Sequence, residues 1–148
     1  MREAAFSILG PVDGARVLDL FCGTGALAFE ALSRGAAEAT LVDTRTKLAR
    51  ENVGRLGLDR ARVVRSNAAR FLRRAASGFD LVLCDPPYDL PDRDWDRIAP
   101  LLAASLADGG RLMLETAASR PLPIELPLLR ERRYGDTVLR LHGAGEGS

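Results

Sequence analysis

The stretch 16-RVLDLFCGTGALAFEALSRGA-36 decides how the rest of the chain is read. Its first six residues, Arg16–Phe21, make a short apolar run suited to a buried strand, and Ala26–Arg34 is patterned as a helix. Between them, 23-GTGALA-28 fits G-x-G-x-x-A. Glycines there allow a tight turn and close approach of backbone to a ligand, and the helix that follows presents free N–H groups at its start.

The alternation continues outward. Ala39–Val42 reads as a second strand ending at Asp43, followed by an amphipathic helix from Thr46 to Leu56. Ala61–Arg65 reads as a third strand, with a helix over Ala68–Arg74. Phe79–Leu83 is a fourth strand, Trp95–Ser105 a helix, and Gly110–Glu115 a fifth strand after the turn 108-DGG-110. Leu126–Arg133 and Thr137–His142 look like two strands joined around 134-YGD-136, a hairpin signal. Strands alternating with helices predict an α/β fold: a mostly parallel sheet, helices on both faces, and an antiparallel hairpin at the end. A single domain over residues 1–142 and a flexible tail, 143-GAGEGS-148, complete the expectation.

Composition narrows the function. The 148 residues are 47% hydrophobic, enough for a core, and contain no apolar run of membrane-spanning length. The first ten residues are too short and too charged for a secretory signal, so a cytoplasmic location is expected. Cys22, Cys84 and the lone His142 have no metal-ligand spacing, and no metal is expected. His142, at the end of the last apolar run, reads as incidental. The net charge of +1 conceals ten basic residues against two acidic ones between Thr44 and Gly78, and six aspartates against Arg93 between Asp80 and Asp96. A basic lobe beside an acidic segment suits a phosphate-rich partner next to a site that attracts a cation; a solvated surface explains the same numbers.

In open sheets of this kind ligands bind at the carboxyl ends of the strands. The ends of the first four read 19-DLFCGTGA-26, Asp43, 66-SNA-68 and 84-CDPPY-88. Asp43 lies 18 residues beyond Gly25, where an acid grips ribose hydroxyls, so the glycine loop by itself fits a dinucleotide equally well. Asp19 separates the two. A carboxylate ahead of the loop suits a ligand with a positively charged end, such as the amino acid part of S-adenosylmethionine, and would repel a pyrophosphate.

The motif 85-DPPY-88 ends the fourth strand abruptly, since proline donates nothing to a sheet ladder. Its chemistry fits an exocyclic amine on a nucleobase. Asp85 offers a carboxylate to the amine N–H groups. Pro86 offers a carbonyl held still because Pro87 restricts the residue before it. Tyr88 offers a flat ring for an extruded base, a stacking worth roughly 1–3 kcal/mol. Such positioning lowers a barrier by on the order of 7–11 kcal/mol.

These features resemble the class I S-adenosylmethionine-dependent methyltransferases with a D-P-P-Y-type motif. More narrowly, 2-REAAFSIL-9, 18-LDLFCGTGALAFEALSRGA-36, 41-LVD-43, 66-SNAARFL-72, 84-CDPPY-88 and 134-YGDTVL-139 resemble the RsmD-type family, guanine-N2 methyltransferases of bacterial small-subunit (16S) ribosomal RNA. The resemblance implies a Rossmann-like, seven-stranded sheet whose last two strands are the hairpin. It implies that Asp19, Phe21, Gly23 and Gly25 line the methionine end of the donor, that Asp43 holds its ribose, and that Asn67 and Ala68 contact its adenine. Asp85 and the Pro86 carbonyl, with Pro87 and Tyr88, would orient guanine N2. Arg2 and Glu3 match a pair expected in a lid over the donor. The family pattern also includes a basic β-hairpin ahead of the R-E-A-x-F helix, expected to help grip RNA; its place here would be before Met1.

The resemblance further implies ribosomal RNA as partner, in the small subunit or an assembly intermediate, and a monomer without membrane attachment. With the first and fourth strands adjacent in this fold, Cys22 and Cys84 come into one region; a reducing cytoplasm argues for two small buried thiols. Three other readings remain: an N6-adenine or other amino-methyltransferase on DNA or RNA, a donor-binding core inactive without the RNA-gripping hairpin, and a dinucleotide oxidoreductase.

Overall fold

The computed structural model describes residues 2–74 and 77–144. Seven strands form one sheet: β1 (Arg16–Leu20), β2 (Glu38–Asp43), β3 (Ala61–Arg65), β4 (Phe79–Cys84), β5 (Leu106–Ala117), β6 (Leu128–Tyr134) and β7 (Thr137–Gly143). The helices are α1 (Arg2–Leu9), α2 (Ala26–Ser33), α3 (Lys47–Leu56), α4 (Ala68–Arg74) and α5 (Asp92–Ser105). The strand order is β3-β2-β1-β4-β5-β7-β6. The first five strands run parallel, and β7 returns antiparallel to both β5 and β6, as the tail's hairpin pattern predicts.

Alternation along the strands gives the sheet two buried faces. Val17, Leu41, Leu81, Leu83 and Met113 pack with α1, α2 and α3; Phe6, Ala28, Ala31, Leu32 and Ala49 fill that layer. Leu18, Leu20, Val82, Leu112 and Leu114 face the other way, toward Phe71 of α4 and Trp95, Ile98 and Leu102 of α5. Strand β1 is therefore buried on both sides, which is why its sequence reads as a nearly unbroken apolar run. The one interruption, Asp19, is only 3% exposed and belongs to the site described below.

Most element boundaries lie within two residues of the sequence reading, and two elements start three or more residues earlier. The 108-DGG-110 turn was expected to precede β5, but the strand already begins at Leu106 and carries those residues as an outward loop. Phe79 pairs with Leu106 and Leu81 with Arg111, so the extra residues bulge out between them. A side chain at Gly110 would stand 2.8 Å from the carbonyls of Ala107 and Phe79. Helix α5 starts at Asp92, three residues earlier than its apolar pattern. Pro91 occupies its N-cap position and Asp92 and Asp94 sit in its first turn, where carboxylates oppose the helix dipole.

The basic segment becomes α3, β3 and α4 at one sheet edge, while the acidic segment becomes the end of β4, the loop after it and the start of α5. Cys22 and Cys84 are buried free thiols, the pairing of Leu20 with Cys84 bringing them to the same end of the sheet. His142 is buried with Nδ1 3.1 Å from the Leu126 carbonyl, a link between β7 and the segment before β6. Strand β7 runs to Gly143, the first residue of the predicted tail, and the Ala144 N–H donates to the Gly110 carbonyl at 2.8 Å; residues 145–148 lie outside the described residues. Among the described residues no helix is long and apolar enough to cross a membrane.

Candidate active site

Four neighbouring strands, β2, β1, β4 and β5, each bring a carboxyl group to the carboxyl edge of the sheet: Asp43, Asp19, Asp85 and Glu115. The row begins with the loop that follows β1. Phe21 is the one non-glycine residue with positive φ (59°) among the described residues, and Gly23 and Gly25 follow at 56° and 87°. Left-handed backbone is costly for a phenylalanine, so the surrounding contacts hold it. The Gly25 N–H closes the turn on the Cys22 carbonyl at 2.8 Å. The two glycines serve different ends. A side chain at Gly25 would stand 2.6 Å from the Phe29 ring and 2.7 Å from Leu41, so this glycine permits the loop to press onto the core. Beside Gly23 there is open space.

Asp43 is tied into the loop. Its Oδ2 accepts the Gly23 N–H at 2.9 Å and its Oδ1 accepts the Thr44 N–H at 2.7 Å. It lines a cavity of about 620 Å³ together with Phe21, Asn67, Ala68, Asp85 and Pro87, a size suited to a cofactor. Asn67 caps α4 through Oδ1, which accepts the Arg70 N–H at 2.8 Å, leaving only its amide nitrogen free toward the cavity. Asp19 is not on this wall. It lies under the loop, with Oδ2 lacking any hydrogen-bond partner among the described residues. Burial raises its pKa to about 8, a hydrogen bond from the Ala28 backbone lowers it in part, and the charges of Asp85 and Asp43 raise it further.

An unpartnered buried carboxylate oxygen is expensive unless a ligand supplies the missing donor. An ammonium group is a donor of the kind such an oxygen lacks. The same burial pushes the Cys22 thiol up to about 12, which makes it inert rather than nucleophilic.

The other end of the row is the DPPY loop. Asp85 and Pro87 border the first cavity and also a second one of about 410 Å³, lined in addition by Pro86, Tyr88, Glu115 and Thr137. Asp85 and Glu115 stand at the ends of neighbouring strands, and both carboxyls lie above the ordinary range. Partial burial is the main cause for each, with the Asp85 charge adding to the rise at Glu115. Tyr88 is 84% exposed, its ring open to a stacking partner. The loop carrying it is strapped down by Arg120, whose guanidinium donates to the carbonyls of Tyr88 and Leu90 and pairs with Asp92 at 2.8 Å.

All residues singled out in the sequence thus gather at one edge, except that the side chain of Arg2 lies outside the described residues and Glu3 is exposed on α1. Sequence reasoning missed Glu115 and Arg120. Glu115 had a signal, being an acid at the end of an apolar strand like Asp43; Arg120 had none.

The family model for Conserved hypothetical protein 95 matches residues 1–143. Ribosomal RNA small subunit methyltransferase D of Escherichia coli K12 is 34% identical over 96% of this chain and 75% of its own length. The chain belongs to this family. Its fold agrees with that of solved structures: a conserved hypothetical protein from Streptococcus pyogenes superposes with a TM-score of 0.86 at 32% identity, over 98% of this chain and 96% of that one. TrmN from Thermus thermophilus gives 0.77 at 30% identity, over 96% of this chain and 47% of that one. The fold is thus the Rossmann-like methyltransferase fold expected from the sequence, and family membership makes the chain a methyltransferase.

Proposed function

We propose that this chain transfers a methyl group from S-adenosylmethionine to the exocyclic N2 of a guanine in small-subunit ribosomal RNA. The observation that carries the reading is the position of Asp85, which borders both the cofactor-sized cavity of about 620 Å³ and a second one of about 410 Å³, roomy enough for a base. The family supports an RNA acceptor, since its relative is named for small-subunit ribosomal RNA.

In this reading Asp19 takes the donor's ammonium on the unpartnered oxygen, Asp43 takes the ribose hydroxyls, and Asn67 offers its amide nitrogen to the adenine beside Ala68. S-adenosylmethionine supplies an electrophilic methyl on a sulfonium. The protein's work is on the acceptor. Guanine N2 is a poor nucleophile because its lone pair is delocalised into the ring. Asp85 and the Pro86 carbonyl accept its two N–H bonds and aim the lone pair at the first cavity. As N2 becomes positive, Asp85 stabilises the charge and receives the departing proton. Tyr88 holds the extruded base by stacking.

The test is methyl transfer from labelled S-adenosylmethionine to small subunits lacking the modification, followed by digestion to nucleosides and mapping of the modified position. The native chain should yield N2-methylguanosine. Asp85→Ala should lower the rate by roughly a thousandfold while S-adenosylhomocysteine binds within a few-fold of native. N6-methyladenosine, or no transfer by a native chain that still binds S-adenosylhomocysteine, would refute the reading.

A further inference from the structure

The second cavity holds a carboxyl group that the transfer step leaves unused. Cys84 pairs with Leu114 across adjacent parallel strands, so Asp85 and Glu115 emerge side by side. Asp85 borders both cavities, whereas Glu115 borders only the second. Arg120 lines the same space, but its guanidinium is committed to the Tyr88 and Leu90 carbonyls and to Asp92, so it does not neutralise Glu115.

Building on the function just described, we propose that Glu115 selects guanine by accepting a hydrogen bond from its ring N1–H, next to the N2–H held by Asp85. Guanine carries N2–H and N1–H as neighbouring donors on one edge. With N2 at the boundary between the cavities, N1 is the next atom along that edge and falls on the side where Glu115 stands. Adenine held by its own amine would present an unprotonated N1 there, lone pair against carboxylate. A site that hydrogen-bonds a substrate N–H rejects analogues lacking it far more strongly than a merely apolar pocket does. Partial burial raises the pKa of both carboxyls, and N–H groups of a bound base would favour their ionised forms.

2-Aminopurine isolates the N1 contact. It keeps the amine on C2 and has an unprotonated N1. Once the methylated guanine is mapped, small-subunit RNA carrying either guanine or 2-aminopurine at that position is made by ligation, reconstituted, and offered to the native chain and to Glu115→Gln. The native chain should prefer guanine by roughly ten- to a hundredfold. Glu115→Gln, whose amide can donate to N1, should bring the ratio to about one or below it. Binding of S-adenosylhomocysteine by the variant checks that it is folded.

A variant that slows on both RNAs by the same factor would show that Glu115 only tunes Asp85, overturning this inference and leaving the functional reading intact. A native preference below about threefold, well short of one good base contact, overturns it without any variant. A mapped adenine would overturn the functional reading and this inference together.

Discussion

From Asp19 to Gly25 the glycine loop of the donor side is one unbroken piece of chain, strand into loop into helix, whereas the acceptor side joins the DPPY loop to Glu115 and Arg120 from a later segment. Arg120 reaches back 30 residues to the Leu90 carbonyl, and Glu115 arrives on the neighbouring strand. The glycine loop is held by backbone angles and a backbone hydrogen bond, the positive φ values of Phe21, Gly23 and Gly25 and the Gly25 N–H on the Cys22 carbonyl, with the Asp43 carboxylate accepting the Gly23 N–H besides. The acceptor side is held by side chains that span gaps. A backbone device has few ways to yield, so one added atom breaks it. A side-chain device loses strength contact by contact.

Gly25→Ala tests the first half of that contrast and carries the largest effect. At φ 87° alanine pays left-handed strain, and its methyl group would lie within 3 Å of Phe29 and Leu41. A loss of roughly 2–4 kcal/mol of stability is expected in denaturant melts, together with loss of S-adenosylhomocysteine binding. Native-like stability and binding in this variant would mean that the loop is not held by its backbone.

Asp19→Asn separates stability from donor binding. The native state keeps a proton on Asp19 that the unfolded chain releases above pH 3.8, so this residue lowers stability as pH rises toward its folded pKa of about 8 and adds no further change beyond it. Asparagine removes that cost. The variant should melt at a higher temperature than the native chain at pH 7–8, by an amount equivalent to a few kcal/mol at most, at about 1.4 kcal/mol per pKa unit. Donor affinity should move the other way, weakening by roughly ten- to a hundredfold as a charge-assisted hydrogen bond is lost.

The same proton gives the native chain a pH signature. Affinity should climb between pH 6 and 8 as Asp19 becomes free to ionise, and turn down above about pH 8 as the donor's own α-amino group loses its charge. Asparagine should flatten the rising limb. A variant that binds as tightly as the native chain at every pH would remove Asp19 from the donor site.

The contrast also explains what could be read in advance. Strand β3 and helix α4 have the extents their patterns predict, because each is a short run of apolar and basic residues with no glycine or proline inside it. The glycine loop was legible because its chemistry is contiguous, and a glycine must be written where the backbone needs one. DPPY was legible as a local break in a strand. The bulge at 108-DGG-110 was misread because glycines that permit a turn also permit a loop inside a strand, and only the pairing of Phe79 and Leu81 decides between them. Glu115 needed the strand order as well as the sequence. Arg120 was out of reach altogether, since two of its three partners are carbonyl oxygens, and every residue has one.

Arg120→Ala therefore tests the second half of the contrast, with the smallest expected effect. Its removal frees two carbonyls near the surface and one exposed ion pair. Exposed contacts of this sort contribute little each, so global stability should fall by less than about 1 kcal/mol. The consequence should be local. Tyr88 and the loop to Asp92 lose their strap, amide hydrogen exchange should quicken there and not in the glycine loop, and transfer to the small subunit should drop by roughly tenfold. Because the donor side does not depend on this contact, S-adenosylhomocysteine should bind as before. A parallel loss of donor binding would mean that the two sides are mechanically one, and that the loop after Asp85 helps to hold the donor cavity it borders.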